Sequence, residues 1–159
     1  MCQSLVNKYN VAGPRYTSYP TVPYWNIETF SLQQWTASLR KSFNESNATE
    51  GLSLYLHLPF CESLCTFCGC HKRITKRHEV ERPYIKALLK EWDLYRAMLG
   101  GKPKIKELHL GGGTPTFFSS ENLNFLLSEL FKVSELAEDY EFSFEGHPNN
   151  TTEAHLQTL

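Results

Sequence analysis

The chain of 159 residues is long enough for one domain, and its formal net charge of −1 lacks the basic excess typical of nucleic-acid-binding proteins. No apolar run approaches the length of a membrane span, and the N-terminal MCQSLVNKYN lacks the charged-then-apolar layout of a signal peptide. With 41% hydrophobic residues the chain can bury a core. From the charge, the missing apolar run and the missing signal peptide together, we expect a cytoplasmic protein that binds neither nucleic acid nor membrane.

Residues 1–51 are predicted to form an N-terminal arm followed by a helix. Three prolines break up residues 1–25, which we expect to be irregular because proline cannot continue a helix. Four aromatic residues among residues 11–25 argue against a disordered tail. Helical spacing of apolar residues predicts a helix over residues 31–43, and the polar sequence NESNATEG predicts a loop over residues 44–51.

A strand–helix rhythm follows over residues 52–159. Strands are predicted at Leu52–Leu58, Ile105–Leu110 and Tyr140–Glu145. Helices are predicted at Pro83–Leu99, from Ser119 onward and from Thr151 onward. This alternation implies an α/β fold with a parallel sheet and right-handed crossovers. Because three parallel strands are too few to be covered on both faces, we expect the first three β/α units of a longer barrel-type protein.

Four of the five cysteines crowd into one short loop. They are Cys61, Cys65, Cys68 and Cys70, and Cys2 stands alone. Such crowding in a cytosolic protein favours metal or redox chemistry over a disulfide framework. The Cys-x3-Cys-x2-Cys spacing offers three thiolates to a [4Fe–4S] cluster, which leaves one iron open to chelate S-adenosylmethionine (SAM). The loop also leaves the carboxyl end of the first strand, where α/β folds place their chemistry.

Two other uses of this loop remain open. A structural zinc site could draw four ligands from the loop cysteines and His71, although such sites usually take pairs of ligands from two separated segments. A redox Cys-x2-Cys at Cys65 and Cys68 is the second alternative.

Further candidate site residues follow the strand ends. Gly111, Gly112 and Gly113 end the second strand and allow close approach of a ligand to the backbone, although the run can also be a simple tight turn. The sequence after them does not continue as a phosphate-binding loop. Glu145 ends the third strand, at a typical active-site position of barrel folds.

A basic run covers residues 71–78, next to the cysteine loop. It is interpreted as a solvated face, with steering of an anionic substrate as the alternative. Cys70 is not a needed cluster ligand, and it either influences the cluster region or is an inert small residue.

These motifs together resemble the oxygen-independent coproporphyrinogen III oxidases, a radical-SAM family. The matching segments are GPRYTSYPT at 13–21, YLHLPFC at 55–61, Phe67 with the CGC extension at 68–70, LHLGGGTPT at 108–116 and FSFE at 142–145. Related haem-chaperone and haem-degrading enzymes share the three cysteines but generally not this combination. They remain the alternative within the superfamily.

The resemblance implies the N-terminal part of a partial (β/α)6 TIM-like barrel, with the remaining barrel strands and a C-terminal domain absent here. It implies oxidative decarboxylation of two propionates of coproporphyrinogen III to the vinyls of protoporphyrinogen IX. The implied cofactors are a [4Fe–4S] cluster and two SAM molecules, and a 5′-deoxyadenosyl radical abstracts the propionate β-hydrogen. We expect a monomer that takes electrons from a flavodoxin or ferredoxin system.

The resemblance also implies roles for single residues. Cys61, Cys65 and Cys68 would ligate the cluster. Tyr55 and Glu145 would contact the first SAM, Phe67 the second, and the glycines at 111–113 the methionine ends of both. A plainer interpretation is that Tyr55 and Phe67 only pack. No catalytic residue is predicted beyond the ligands of the cluster and of SAM. The chain departs from many relatives at His147, where they carry Asp before a proline. We expect this stretch alone to be inactive, because an incomplete barrel leaves an open strand edge.

Overall fold

The computed structural model describes residues 2–10 and 24–159. The leader motif at 13–21 lies outside the described residues, so the prediction made on it stays a prediction. The chain divides into two compact units, Met1–Trp35 and Thr36–Leu159. The boundary between the units falls inside the helix Leu32–Ser46, whereas the sequence predicts a boundary after residue 51. That earlier boundary stays a prediction.

The first unit contains a helix that the sequence analysis missed. Helix α1 spans Cys2–Tyr9, so the prediction of an irregular arm over residues 1–25 is wrong for this stretch. The physical reason is that proline restricts only its own residue and the one before it, and residues 2–9 contain neither proline nor glycine. A 3-10 turn at Ile27–Thr29 follows, and the Asn26 side chain caps it by accepting a hydrogen bond from the Glu28 N–H.

Helix α2 spans Leu32–Ser46 and therefore runs beyond the predicted end at residue 43. The predicted polar loop begins only after it, and the side chains of Asn47 and Lys104 hold it, the latter donating to the Ala48 carbonyl oxygen at 2.7 Å. The Asn47 amide donates to the Lys102 carbonyl oxygen at 3.0 Å and accepts from the Lys104 N–H at 2.8 Å. These bonds place the loop beside the start of a later strand.

Five strands lie in the second unit as described. They are β1 at Leu52–Leu58, β2 at Phe60–Cys61, β3 at Arg73–Ile74, β4 at Lys104–Gly112 and β5 at Glu135–Phe144. The main sheet is parallel with the order β1-β4-β5, and β2 pairs with β3 in a small parallel ladder. Strand β1 agrees with its predicted bounds, whereas β5 begins five residues before the predicted Tyr140.

The three predicted helices are confirmed. They are α3 at Glu81–Leu99, α4 at Ser120–Lys132 and α5 at Glu153–Thr158. Gly100, in the left-handed conformation, ends α3, while the side chains of Ser119 and Thr152 cap α4 and α5. Among residues 2–10 and 24–159, no helix is both long and apolar enough to span a membrane.

Helices α3 and α4 pack against one face of the main sheet, and the hydrophobic core lies between them and that face. Its strand residues include Leu56, Leu58, Ile105, Leu108 and Leu110, and its helix residues include Ile85, Trp92, Leu123, Leu126 and Leu130. The strict alternation in β1 turns the intervening side chains to the opposite, polar face. The predicted α/β class with a parallel sheet is therefore confirmed. The opposite face of the sheet presents polar side chains, among them Ser53, Tyr55 and His57 of β1.

Candidate functional site

The carboxyl ends of the three parallel strands meet at one edge of the sheet, as their parallel direction requires. Two backbone hydrogen bonds continue the pairing beyond β1 and β4: the Gly113 N–H donates to the Leu58 carbonyl oxygen at 2.9 Å, and the Thr114 N–H donates to that of Phe60 at 3.0 Å. The glycine run therefore lies directly against the start of the cysteine loop. Glu145 joins them at the end of β5, where its N–H donates to the Leu110 carbonyl oxygen at 2.9 Å.

The three predicted ligand thiols are free and differ in how firmly they are held. Cys61 is buried in β2, and its sulfur accepts a hydrogen bond from the Thr114 hydroxyl at 3.3 Å. Cys65 and Cys68 are half-buried, and the Cys68 N–H donates to the Cys65 carbonyl oxygen at 3.1 Å. Cys70 is exposed. The loop thus has one fixed thiol and two on a short turn.

The thiols of Cys61, Cys65 and Cys68 are the candidate donors for a metal centre. Within the described ranges, no three Cys, His, Asp or Glu side chains are gathered closely enough to hold a metal ion. The chemistry of the set nevertheless suits iron, since soft thiol donors are the preferred ligands of iron–sulfur clusters and all three are unpaired by disulfides. The cysteine loop supplies suitable donors, and binding of a cluster would require the three thiols to move closer together.

The neighbouring Cys68 side chain raises the pKa of the Cys70 thiol above its ordinary value, and the Glu145 carboxylate acts in the same direction, whereas Lys72 opposes them. Cys70 itself lies two residues beyond the Cys-x3-Cys-x2-Cys run.

Tyr55 lies on the polar face of β1 and begins a chain of hydrogen bonds. Its hydroxyl lies 3.2 Å from His57 Nδ1, and His57 Nε2 donates to the His71 carbonyl oxygen at 2.8 Å. A carbonyl only accepts, so the proton of a neutral His57 is on Nε2 and the Tyr55 hydroxyl donates to Nδ1. Burial raises the pKa of Tyr55, and the negative charge of Glu145 adds to this effect, which keeps the hydroxyl protonated.

His109 occupies the centre of the polar face on β4. Its ring stacks on that of Tyr55, with centroids 5.6 Å apart and planes inclined by 17°. Nδ1 lies 2.7 Å from the Ser143 hydroxyl, and Nε2 lies 3.7 Å from a carboxylate oxygen of Glu145. The other oxygen of Glu145 accepts a hydrogen bond from the Gly112 N–H at 3.0 Å. Polar groups of all three strands thus join in one network.

The glycines of this edge are needed by the protein itself. Gly112 has φ +110°, and a Cβ there would lie 2.4 Å from the His57 ring. A Cβ on Gly113 would lie 2.5 Å from the Pro59 carbonyl carbon. Close packing against the end of β1 and the adjoining Pro59 therefore explains the glycines without any ligand, and their predicted contact with SAM stays a prediction.

The other predicted site residues are less constrained. Phe67 is 89% exposed in the cysteine loop and is not packed against the polar network. In the basic run the side chains of Arg73, Lys76 and Arg77 are exposed, which agrees with a solvated face. His57 and His109 were not among the predicted site residues, although both stand at alternate positions of predicted strands, near their carboxyl ends.

Two of the concave surfaces formed by the described residues adjoin strand β1. A groove of about 370 Å³ follows the polar face and is lined by Ser53, Tyr55, Glu107, His109 and Ser143 among others. A more apolar cavity of about 430 Å³ lies between β1 and helices α2 and α3, lined by residues such as Phe43, Leu54 and Trp92. The polar groove is lined by Tyr55, His109 and Ser143 of the polar network, whereas the apolar cavity reaches only Tyr55 and His57 of it.

Comparison with solved structures defines the class of fold. The chain superposes on the coproporphyrinogen III oxidase HemN of Escherichia coli, described as a radical SAM enzyme, with a TM-score of 0.76 and 30% identity. The match covers 98% of this chain and 33% of that one. No family model matches the chain. The described units therefore have the α/β fold of a radical SAM enzyme, as predicted.

Curated relatives narrow the similarity further. The chain is 38% identical over 153 residues to the oxygen-independent coproporphyrinogen III oxidase of Paracoccus denitrificans, and 37% identical over 145 residues to that of Escherichia coli. These matches cover 95% and 91% of this chain but 32% and 30% of the relatives. The predicted resemblance to the oxygen-independent coproporphyrinogen III oxidases is confirmed, and the chain spans about one third of their length.

Proposed function

We propose that this chain is the cluster-binding, N-terminal portion of an oxygen-independent coproporphyrinogen III oxidase. One observation carries the proposal. The free thiols of the cysteine loop stand at the carboxyl edge of the parallel sheet, beside the glycine run and Glu145, in a chain 38% identical to enzymes of that name over 95% of its length.

The cysteine loop would hold a [4Fe–4S] cluster through Cys61, Cys65 and Cys68. The Thr114 hydroxyl already donates to the Cys61 sulfur, and this bond would stabilise the thiolate that iron requires. The half-buried Cys65 and Cys68 lie on a turn that can adjust around a bound group. Cys70 would stay outside the ligand set, because the Cys-x3-Cys-x2-Cys run already supplies three thiolates.

The polar network would bind SAM at the free iron position of the cluster. Glu145 offers a carboxylate for an ammonium group, and Tyr55 offers a hydroxyl that stays protonated. His109 and the Gly112 N–H hold the Glu145 carboxylate in place. When bound, the cluster and SAM would supply radical chemistry that removes a hydrogen atom from the β-carbon of a propionate; the substrate radical would then lose CO2 and pass one electron to an acceptor, which leaves a vinyl group.

The activity belongs to a larger protein, so its other components form part of the proposal. The substrate is coproporphyrinogen III, decarboxylated at two propionates to protoporphyrinogen IX. Two SAM molecules take part, the second beside the exposed Phe67. A flavodoxin or ferredoxin system supplies electrons, and the protein acts as a cytoplasmic monomer.

The test is anaerobic reconstitution of the full-length protein with iron and sulfide, followed by spectroscopy and an iron count. About four irons per chain with a [4Fe–4S] spectrum are expected, and tight binding of zinc without iron uptake would favour a zinc module instead. The loaded protein is then given coproporphyrinogen III, SAM and a reductant. Formation of protoporphyrinogen IX supports the proposal, whereas a stable cluster without this product points to a haem chaperone or haem-degrading enzyme.

A further inference from the structure

A carboxylate is buried at the start of α3, away from the polar face of the sheet. Glu81 is 1% exposed, and one of its oxygens accepts from the Ser119 N–H at 2.9 Å and from the Asn122 side-chain amide at 2.6 Å. The other oxygen lies 2.6 Å from His78 Nδ1. A buried carboxylate remains charged only when it is paired and hydrogen-bonded. Glu81 meets that requirement and joins α3 to the N-terminus of α4.

His78 extends this cluster toward the cysteine loop. Its ring stacks on Phe117, with centroids 4.5 Å apart and planes inclined by 11°. While Nδ1 faces Glu81, Nε2 lies 3.4 Å from a carboxylate oxygen of Glu62, the residue that follows Cys61. An ionised carboxylate only accepts hydrogen bonds, so satisfying both partners requires a proton on each ring nitrogen.

The Glu62–His78 pair adds a side-chain tie at the start of the cysteine loop, where the Cys61 sulfur also accepts from the Thr114 hydroxyl at 3.3 Å. At the start of the loop, the Thr75 N–H donates to the Cys61 carbonyl oxygen at 2.9 Å. Inside the loop, the bond between Cys68 and Cys65 joins only neighbours in the turn. The Glu62–His78 pair reaches from the loop to the 3-10 turn His78–Val80, and His78 in turn contacts the buried Glu81 at the start of α3.

We propose that His78 is a positioning residue: as an imidazolium it clamps Glu62 of the cysteine loop to the buried Glu81 and so sets where the loop begins. The proposal rests on the proposed function only in assigning cluster binding to that loop. The groups facing His78 are the Glu81 carboxylate on α3, the Glu62 carboxylate on the loop and the Phe117 ring on the turn after β4. Both charged neighbours favour the imidazolium.

The test compares two substitutions that differ only in place. Glu62→Gln removes the charge that His78 grips and leaves the buried Glu81 untouched. Glu79→Gln makes the same chemical change on the exposed neighbour of His78 and serves as the matched control. Amide hydrogen exchange across residues 62–70 of the metal-free protein is expected to accelerate about threefold in Glu62→Gln and to stay unchanged in Glu79→Gln.

The reconstituted protein provides a second readout. Iron release to a chelator is expected to be about threefold faster in Glu62→Gln than in wild type at pH about 6, and the difference should shrink as the pH rises through the raised pKa of His78. Equal exchange rates in Glu62→Gln and Glu79→Gln would overturn the clamp. Failure of the wild type to bind a cluster would overturn the proposed function instead, while the metal-free exchange experiment would still decide about the clamp.

Discussion

The Gly112 N–H donates to a Glu145 carboxylate oxygen over 3.0 Å, which fastens the end of the third strand of the sheet to the glycine run of the second. The other oxygen of the carboxylate lies 3.7 Å from His109 Nε2. The Glu145 side chain is 52% exposed, so it is held in place and still reachable by a ligand. This combination is what a residue that positions a charged ligand requires.

Substitution Glu145→Gln tests this role. The amide oxygen of glutamine can still accept from the Gly112 N–H, so the fold should be retained while the negative charge is lost. SAM affinity of the reconstituted protein, measured by calorimetry, is expected to fall about tenfold, since a hydrogen bond to a charged group contributes about 1.5 kcal/mol. Glu141→Gln, on the same strand, is the control and should bind normally. Equal affinities of both variants would refute the role of Glu145.

Substitution Gly112→Ala tests the close packing between the glycine run and β1. The added Cβ would lie 2.4 Å from the His57 ring, at a backbone φ of +110°. We expect a loss of unfolding free energy of about 3 kcal/mol, measured by urea denaturation. Gly100→Ala is the matched control, because Gly100 also has positive φ, +76°, but has no atom within 4 Å of an added Cβ.

Gly100→Ala should lower the free energy of unfolding by only about 1 kcal/mol, because it adds backbone strain without a steric clash. If both substitutions destabilise the protein equally, then the contact with His57 has no energetic weight and the glycine run is not shaped by it.

The stability of the protein should depend on pH through His78. Its pKa is raised above the ordinary value, chiefly by the hydrogen bond with Glu81 and also by the Glu62 carboxylate, with burial acting in the opposite direction. Because the folded-state pKa is the higher one, the stabilisation is fully present below the unfolded pKa of about 6.5 and is lost as pH rises through the folded value.

Urea unfolding of wild type and His78→Gln at several pH values measures this. The difference in unfolding free energy, wild type minus variant, is expected to be largest near pH about 6 and to shrink toward pH about 9. A difference that stays constant or grows with pH would show that His78 is not held as an imidazolium.

The elements with a strong local pattern could be predicted from the sequence. Strand β1 alternates strictly, and α4 begins after a serine cap, so both were placed within a residue or so. The β2–β3 ladder was missed because two-residue strands carry no periodic signal. The early part of β5, ELAED, is polar, and it is held by distant partners instead: the Glu135 N–H donates to the Pro103 carbonyl oxygen at 2.7 Å, and Lys106 pairs with Asp139 at 2.9 Å.

From the sequence, the candidate site could be predicted only in those features that follow from the parallel direction of the strands. Parallel strands bring Glu145, the glycine run and the cysteine loop to one edge, and the structure places them there. The links made by His57 and His109 depend on the register between strands, which opposes Tyr55 to His109 and His109 to Ser143. No local pattern encodes that register, so these two residues were missed.

The central claim is that Cys61, Cys65 and Cys68 together hold a [4Fe–4S] cluster and that Cys70 does not. The most direct measurement is the iron content and absorption spectrum of anaerobically reconstituted wild type and of four single cysteine-to-serine variants. Cys61→Ser, Cys65→Ser and Cys68→Ser should each lose the cluster, whereas Cys70→Ser should keep about four irons per chain, as in wild type. Loss of the cluster in Cys70→Ser, or its retention in any of the other three, would contradict this ligand set.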